Sequence, residues 1–248
     1  MSNITTTGSK ALATPVKQTI ATSVEAADIE IPKILLMQGL SDFVAEQRAS
    51  MGDFVDSLTA EKLGSNKEPV KIIPICMWKD FLITEKQGQK FEFKEIKPYN
   101  AETMHWRTYD NREYTEGGVE HQRNLRMNFA VLLERDKGEL GAFPYVISFQ
   151  RTGLQCGKGF ANFFLKAQTK SQHPWFFTLS LGANLEKNDK GTFYVPSVVG
   201  ATETPDLDAV VETCQQWAAI FSQGFAKIDE RDTEAAPTAA TTDAETRF

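Results

Sequence analysis

The chain has 248 residues, 41% hydrophobic and 24% charged, with only three cysteines, so it is long enough to bury a core without disulfide staples. No apolar run approaches the roughly 18 residues that cross a bilayer, and residues 1–17 are Ser/Thr-rich without an apolar signal core, which argues against a membrane or secreted protein and for the cytoplasm. The net charge of −6 is uneven: residues 1–69 carry 6 basic and 9 acidic side chains, residues 70–175 carry 16 and 12, residues 176–199 balance, and residues 200–248 carry 3 and 10. The middle is therefore basic, and residues 140–185 hold no Asp or Glu but do hold Arg151, Lys158, Lys166 and Lys170. Phosphate binding follows local potential rather than the sum over the chain.

In chain order, residues 1–28 are rich in Ser, Thr and Ala and are expected to form a flexible arm. Residues 29–40 (IEIPKILLMQGL) begin the ordered part, with Pro32 restricting them to an edge or an extended lead-in. Residues 52–64 are bounded by glycines and predict a short strand with a turn. Residues 70–77 predict a strand, and residues 78–84 with 90–96 a hairpin, since Phe91 and Phe93 alternate with Lys90, Glu92 and Lys94. Residues 97–124 are polar and aromatic-dotted, with no regular pattern. Residues 128–134 and 143–150 predict two strands, joined by a turn at Asp136-Lys137-Gly138.

The period then changes. Phe160, Phe163, Phe164 and Ala167 recur at helical spacing, so residues 155–169 predict a helix. Residues 175–181 and 192–199 predict strands around the turn Asn188-Asp189-Lys190-Gly191. Last comes an amphipathic helix, with Thr204 as its N-cap and Pro205 in its first turn. Its apolar stripe is Leu207, Val210, Val211, Cys214, Trp217, Ala218, Phe221 and Phe225. Residues 229–248 are expected to be a disordered acidic tail. The expected organisation is thus an arm (1–28), one domain (29–228) and a tail (229–248). The expected class is mostly β with helices (α+β), as an OB-like Greek-key barrel with an inserted helix and a C-terminal amphipathic helix. An open α+β sheet is the alternative.

Catalytic patterns are lacking. The three cysteines and three histidines form no CxxC, HxxxH or HExxH, so no metal is expected. Gly153 to Gly159 echoes a P-loop but has three residues between the first glycines instead of four, and Gly159 stands where Ser or Thr would hold magnesium. Such glycines beside Arg151 and Lys158 suit a phosphate oxygen or, equally, a plain strand-to-helix turn. No nucleophile elbow is present, and Cys76 and Cys214 sit in apolar segments. Glu113, Glu116 and Glu120 have the character of a solvated acidic stretch. No enzyme activity and no cofactor is expected.

What stands out is basic residues interleaved with aromatics: Trp106, Arg107, Tyr109, Arg112, Tyr114, Arg123 and Arg126. Single strands are bound by stacking bases on rings in a basic groove. These residues, with Arg151, Lys158, Lys166 and Lys170, are the candidate DNA-binding set.

The stretch MNFAVLLERD…PYVISFQRTGLQCGKGFANFFLKAQ…PWFFTLSLGANLEKNDKGTFYVPSVVG, preceded by IPKILLMQGLS, resembles phage-encoded single-stranded DNA-binding proteins with OB folds. The resemblance implies coating of single-stranded DNA in replication, recombination or transcription, inside the infected host cell. Many such proteins end in an acidic tail with a terminal Phe that docks on partners. Here TDAETRF supplies Asp243, Glu245 and Phe248, although Arg247 departs from that pattern. Implied partners are a phage DNA or RNA polymerase, the latter if the protein serves as a polymerase cofactor. A homo-oligomer is a further expectation. The rival reading is a non-catalytic protein-interaction module that binds a host or phage enzyme through the helix following Thr204.

Overall fold

The structure, a computed structural model, describes residues 30–107, 112–134, 141, 143–189, 191–205, 207–222 and 227–228. In chain order the elements are β1 (Glu30–Ile31), β2 (Ile34–Leu36), α1 (Asp42–Ala45), β3 (Asp53–Asp56), β4 (Lys62–Ser65), β5 (Val70–Gln87), β6 (Lys90–Pro98), β7 (Glu113–Glu116) and β8 (Val119–Leu133). They continue with β9 (Tyr145–Gln150), α2 (Leu154–Thr169), β10 (Phe177–Asn188), β11 (Gly191–Glu203), α3 (Leu207–Ser222) and β12 (Lys227–Ile228). Short 3-10 turns lie at Met104–Arg107, Arg151–Gly153 and Pro174–Phe176. The fold is α+β, with mostly antiparallel sheet. No described helix is long and apolar enough to cross a membrane.

Two long strands organise it. β5 has 18 residues and β8 has 15, so each changes neighbours along its length. At one end β5 pairs with β10 through Val70–Ile72, and β8 pairs with β9 through Arg126–Val131. At the other end β5 pairs with β6 and β8 with β7. Pro74, which has no N–H to give a ladder, sits where the β5–β8 register shifts.

The first end reads β9-β8-β5-β10-β11, with α2 between β9 and β10 in the chain. That connectivity is the OB-type Greek key. No described strand pairing joins β9 to β11 to close it into a barrel. The N-terminal segment spans the gap instead. Lys33 bridges Val146 in parallel, and Val146 N–H donates to Pro32 O at 2.9 Å. Farther along, the Gln38 side chain both donates to Tyr194 O and accepts from Tyr194 N–H, each at 2.9 Å. The Tyr194 ring lies against Gly52, where an added Cβ would come within 2.8 Å of the ring.

Alternation along the strands puts a core on each face of the large sheet. On one face Met127, Phe129, Val131, Ile147 and Phe149 meet Phe160 and Phe164 of α2 and Ile34 and Phe54 of the small β2–β3–β4 sheet. The abundant phenylalanines are accounted for in part here: the Phe129 ring lies 5.1 Å from Phe160, 5.6 Å from Phe149 and 5.7 Å from Phe164, centroid to centroid. Each such side chain stabilises by about 1.5–3 kcal/mol on burial. Gly157 lets α2 approach closely, since a Cβ there would come within 3.0 Å of Phe149 Cβ. On the other face Ile73, Ile75, Ala130 and Leu132 meet Val210 and Cys214 of α3, with Trp217 and Phe221 packed alongside. The apolar stripe of α3 is thus occupied within the molecule. Burial pushes the Cys76, Cys156 and Cys214 thiols up to about 12, which leaves them neutral and unreactive.

Some expectations change. The strand at 70–77 and the first arm of the hairpin are one continuous β5. The stretch 97–124 is not irregular throughout, because β7 and the first third of β8 lie in it. Thr204 does not cap α3. Its N–H donates to Phe176 O at 2.8 Å and its hydroxyl meets that of Thr178 at 3.3 Å, three residues before the helix begins. The turn at 136–138, Phe225 and both terminal segments fall outside the described residues.

Candidate nucleic-acid interface

Beyond the end of α2, the face of the sheet that α2 covers continues as an aromatic and basic shelf. Antiparallel pairing puts Phe81 opposite Leu125 and Ile83 opposite Arg123 on this face. Phe81 is fully buried; Tyr99 stacks on it at 5.8 Å and Trp106 meets it edge-on at 5.5 Å. Lys79 lies over Tyr99 at 5.4 Å.

Trp106 is held by local sequence chemistry. Asn100 Oδ1 accepts from the N–H groups of Glu102 and Thr103, and Thr103 Oγ1 donates to Pro98 O at 2.6 Å. This Asx-turn starts the 3-10 turn that carries Trp106 and Arg107. The Arg123 guanidinium then sits between two rings, 4.4 Å from Trp106 and 3.8 Å from Tyr114. Tyr114 in turn stacks on the buried His121 at 4.8 Å. The aromatics named from the sequence therefore hold an arginine in place as well as lining a surface.

Arg151 is the most unusual residue of the set. It follows an extended Gln150 and has φ of +50°, in the left-handed region that non-glycine residues rarely adopt. Its Nε is buried without a hydrogen-bond partner among the described residues. Burial lowers the guanidinium pKa from its ordinary value, and the like charge of Arg112 lowers it further.

These elements converge on a pocket of about 260 Å³. The 3-10 turn gives Trp106 and Arg107, and the entry to β7 gives Arg112. Arg123, Asn124 and Leu125 come from β8, and Arg151 and Leu154 come from the start of α2. No carboxylate lines it among the described residues. Among the described residues the Arg112 side chain donates to Asn124 Oδ1, at 3.5 Å. From the pocket, α2 carries Lys158 and Lys166, and Lys170 follows at its C-cap, all exposed, on a helix with no acidic residue. From Lys158 to Lys170 they follow a stripe about 18 Å long that winds about 120° around the helix axis.

Arg126 does not belong to the site. It is 3% exposed and forms a two-pronged pair with Asp80, Nε to Oδ1 at 2.8 Å and NH2 to Oδ2 at 3.0 Å. Asn128 donates to the same carboxylate at 2.8 Å and accepts from Ser148 at 2.7 Å. The network lies on the α3 face, because the side chain of residue 126 points opposite to those of 123 and 125. Tyr109, Asp243, Glu245 and Phe248 lie outside the described residues. The sequence did not single out Lys79, Tyr99, Asn124, Leu125 or Leu154. Their place depends on strand register, for which no sequence signal exists in so polar a stretch.

No group of three or more His, Cys, Asp or Glu able to hold a metal ion occurs among the described residues. No curated protein and no solved structure matches the chain. A family model does: the one described as Pam3 phage gp34-like protein matches residues 10–225. The chain, which is mostly β with its basic pocket at the start of α2, therefore belongs to the Pam3 phage gp34-like protein family.

Proposed function

We propose that this phage protein binds single-stranded DNA through the arginine pocket and the lysine stripe of α2. The observation that carries the reading is the convergence of Arg107, Arg112, Arg123 and Arg151 on one pocket whose described lining holds no carboxylate. Arg112 repels the Arg151 guanidinium, so an anion that fills the pocket relieves that repulsion. The stripe extends the positive potential well beyond one small anion, which favours a chain of phosphates. A half-buried pocket walled by Trp106 and Leu125 accepts a splayed nucleotide more readily than a stacked duplex. Its position between the β5–β8 connection and the β8–β9 face corresponds to the nucleic-acid surface of OB-type proteins, a parallel at the level of fold alone.

On this reading arginines and lysines neutralise phosphates, rings offer stacking surface, and the protein coats and presents the strand without chemistry. Replication, recombination and transcription in the infected cell all expose such strands. The acidic residues Asp243 and Glu245 with Phe248 remain the proposed contact for a phage DNA or RNA polymerase.

The test is fluorescence anisotropy of labelled oligo(dT) and matched duplex, titrated at two salt concentrations. Expected is single-strand binding well above duplex binding, weakening steeply as salt rises. Binding that ignores salt, or none at low salt, would sink the proposal.

A further inference from the structure

The charge of the described pocket lining exceeds what an internal stretch of strand brings to one point. Arg107, Arg112 and Arg151 have no described acidic partner, and Arg123 stands beside them. One internal phosphodiester carries a single negative charge, whereas a terminal phosphomonoester carries about −1.5 to −2 at neutral pH and three acceptor oxygens. Arginine forks suit that geometry, since each presents two parallel N–H groups to a pair of oxygens. The pocket also has a blind side. Leu125 and Leu154 are apolar walls, and α2 begins there, its first N–H groups uncapped by any side chain. The backbone strain at Arg151 points the same way, because a left-handed arginine persists only where surrounding structure fixes it.

We propose that the pocket is an end-grip, which holds the terminal phosphomonoester of a DNA strand while the strand runs out along Lys158, Lys166 and Lys170. This rests on reading the pocket as a nucleic-acid site, and it adds a preference for ends that a simple coating protein lacks. The recognised chemistry is the phosphomonoester; a 5′ end, a 3′ end and a free nucleotide all supply it, and the proposal commits to a strand end.

The experiment compares four unlabelled competitors against labelled oligo(dT) on the full chain: the same oligo(dT) with hydroxyl ends, with a 5′-phosphate, with a 3′-phosphate, and free dTMP. Expected is roughly tenfold tighter binding for one phosphorylated end, about the factor that one charge-assisted hydrogen bond provides. Arg151→Ala and, independently, Arg112→Gln should erase that preference and leave binding of the hydroxyl-ended strand weaker but present. Circular dichroism of both variants reports whether they fold, and Arg112→Gln at the entry to β7 keeps the question open to an answer if Arg151→Ala does not. Equal affinity for all three strands overturns the end-grip and leaves strand binding standing. Competition by dTMP as strong as by the phosphorylated strand also overturns it, in favour of a free-nucleotide site. If no strand binds at low salt, the proposed function fails, and the end-grip fails with it.

Discussion

Arg126 and Arg151 lie close in register, because Arg126 pairs with Gln150 across the β8–β9 ladder, yet their environments are opposite. Arg126 is buried, forked onto Asp80, and belongs to a network in which Asn128 and Ser148 are also bonded. Arg151 is half-buried, strained, without a partner at Nε among the described residues, and repelled by Arg112. The first arrangement completes its own charge inside the protein and leaves nothing for a ligand. The second leaves its charge uncompensated among the described residues, and on the proposed function an anionic ligand completes it. Residue type does not separate the two; the presence of a carboxylate does.

Four experiments would break or sharpen this contrast. The largest effect is expected from Asp80→Ala, which strands Arg126 in the interior. Stability should fall by about 3–5 kcal/mol, read as a lower urea midpoint, and a loss under 1 kcal/mol would mean that the pair is not structural. Gly157→Val comes next. Its side chain would collide with Phe149 and push α2 off the sheet, with an expected cost of about 1–3 kcal/mol, visible as a drop in Tm.

Arg151→Ala should do the reverse of Asp80→Ala. Single-strand affinity should fall about tenfold while the urea midpoint hardly moves, because the like-charge repulsion is relieved. A large stability loss with unchanged affinity would erase the distinction between the two arginines. The smallest effect belongs to Lys158→Ala, Lys166→Ala and Lys170→Ala. Each should weaken binding a few-fold and reduce the slope of log affinity against log salt by about 0.7, the value for one phosphate contact on a single strand. No change in slope would remove the stripe from the interface.

The contrast also explains what was legible in the sequence. α2, α3, β10 and β11 were readable because their apolar residues repeat at the helical or strand period, and Phe160, Phe164, Val210 and Cys214 are buried as that period requires. The first half of β8 was not, because Gln122, Asn124 and Arg126 are buried polar residues and hide the strand among polar neighbours. Trp106, Arg112, Tyr114, Arg123 and Arg151 were picked out by composition and do gather at one place. Composition could not show that Trp106 and Tyr114 brace Arg123, nor that Arg126 faces away, since both depend on which side of a strand each residue occupies. OB-like connectivity was anticipated; that the N-terminal segment spans the open seam was not, because Gln38 carries no strand signal.

That seam has a consequence for the order in which the molecule assembles. Gln38 and Tyr194 are 156 residues apart, so their contact closes a very long loop, and contacts of that kind form late. The Tyr194 amide is held by a side chain rather than by a neighbouring strand on that edge. Opening the seam requires that residues 32–38 lift away, drawing Ile34 out of the core and moving or breaking the β2–β3 pairing, while the β5–β8 ladder stays intact. Native-state hydrogen exchange should therefore resolve two populations: the Tyr194 and Val146 amides exchanging through a low-energy partial opening, and those of Phe129 and Leu132 only through global unfolding. The protein would then breathe along one line, at the N-terminal segment, with the aromatic and basic shelf on the part that holds still.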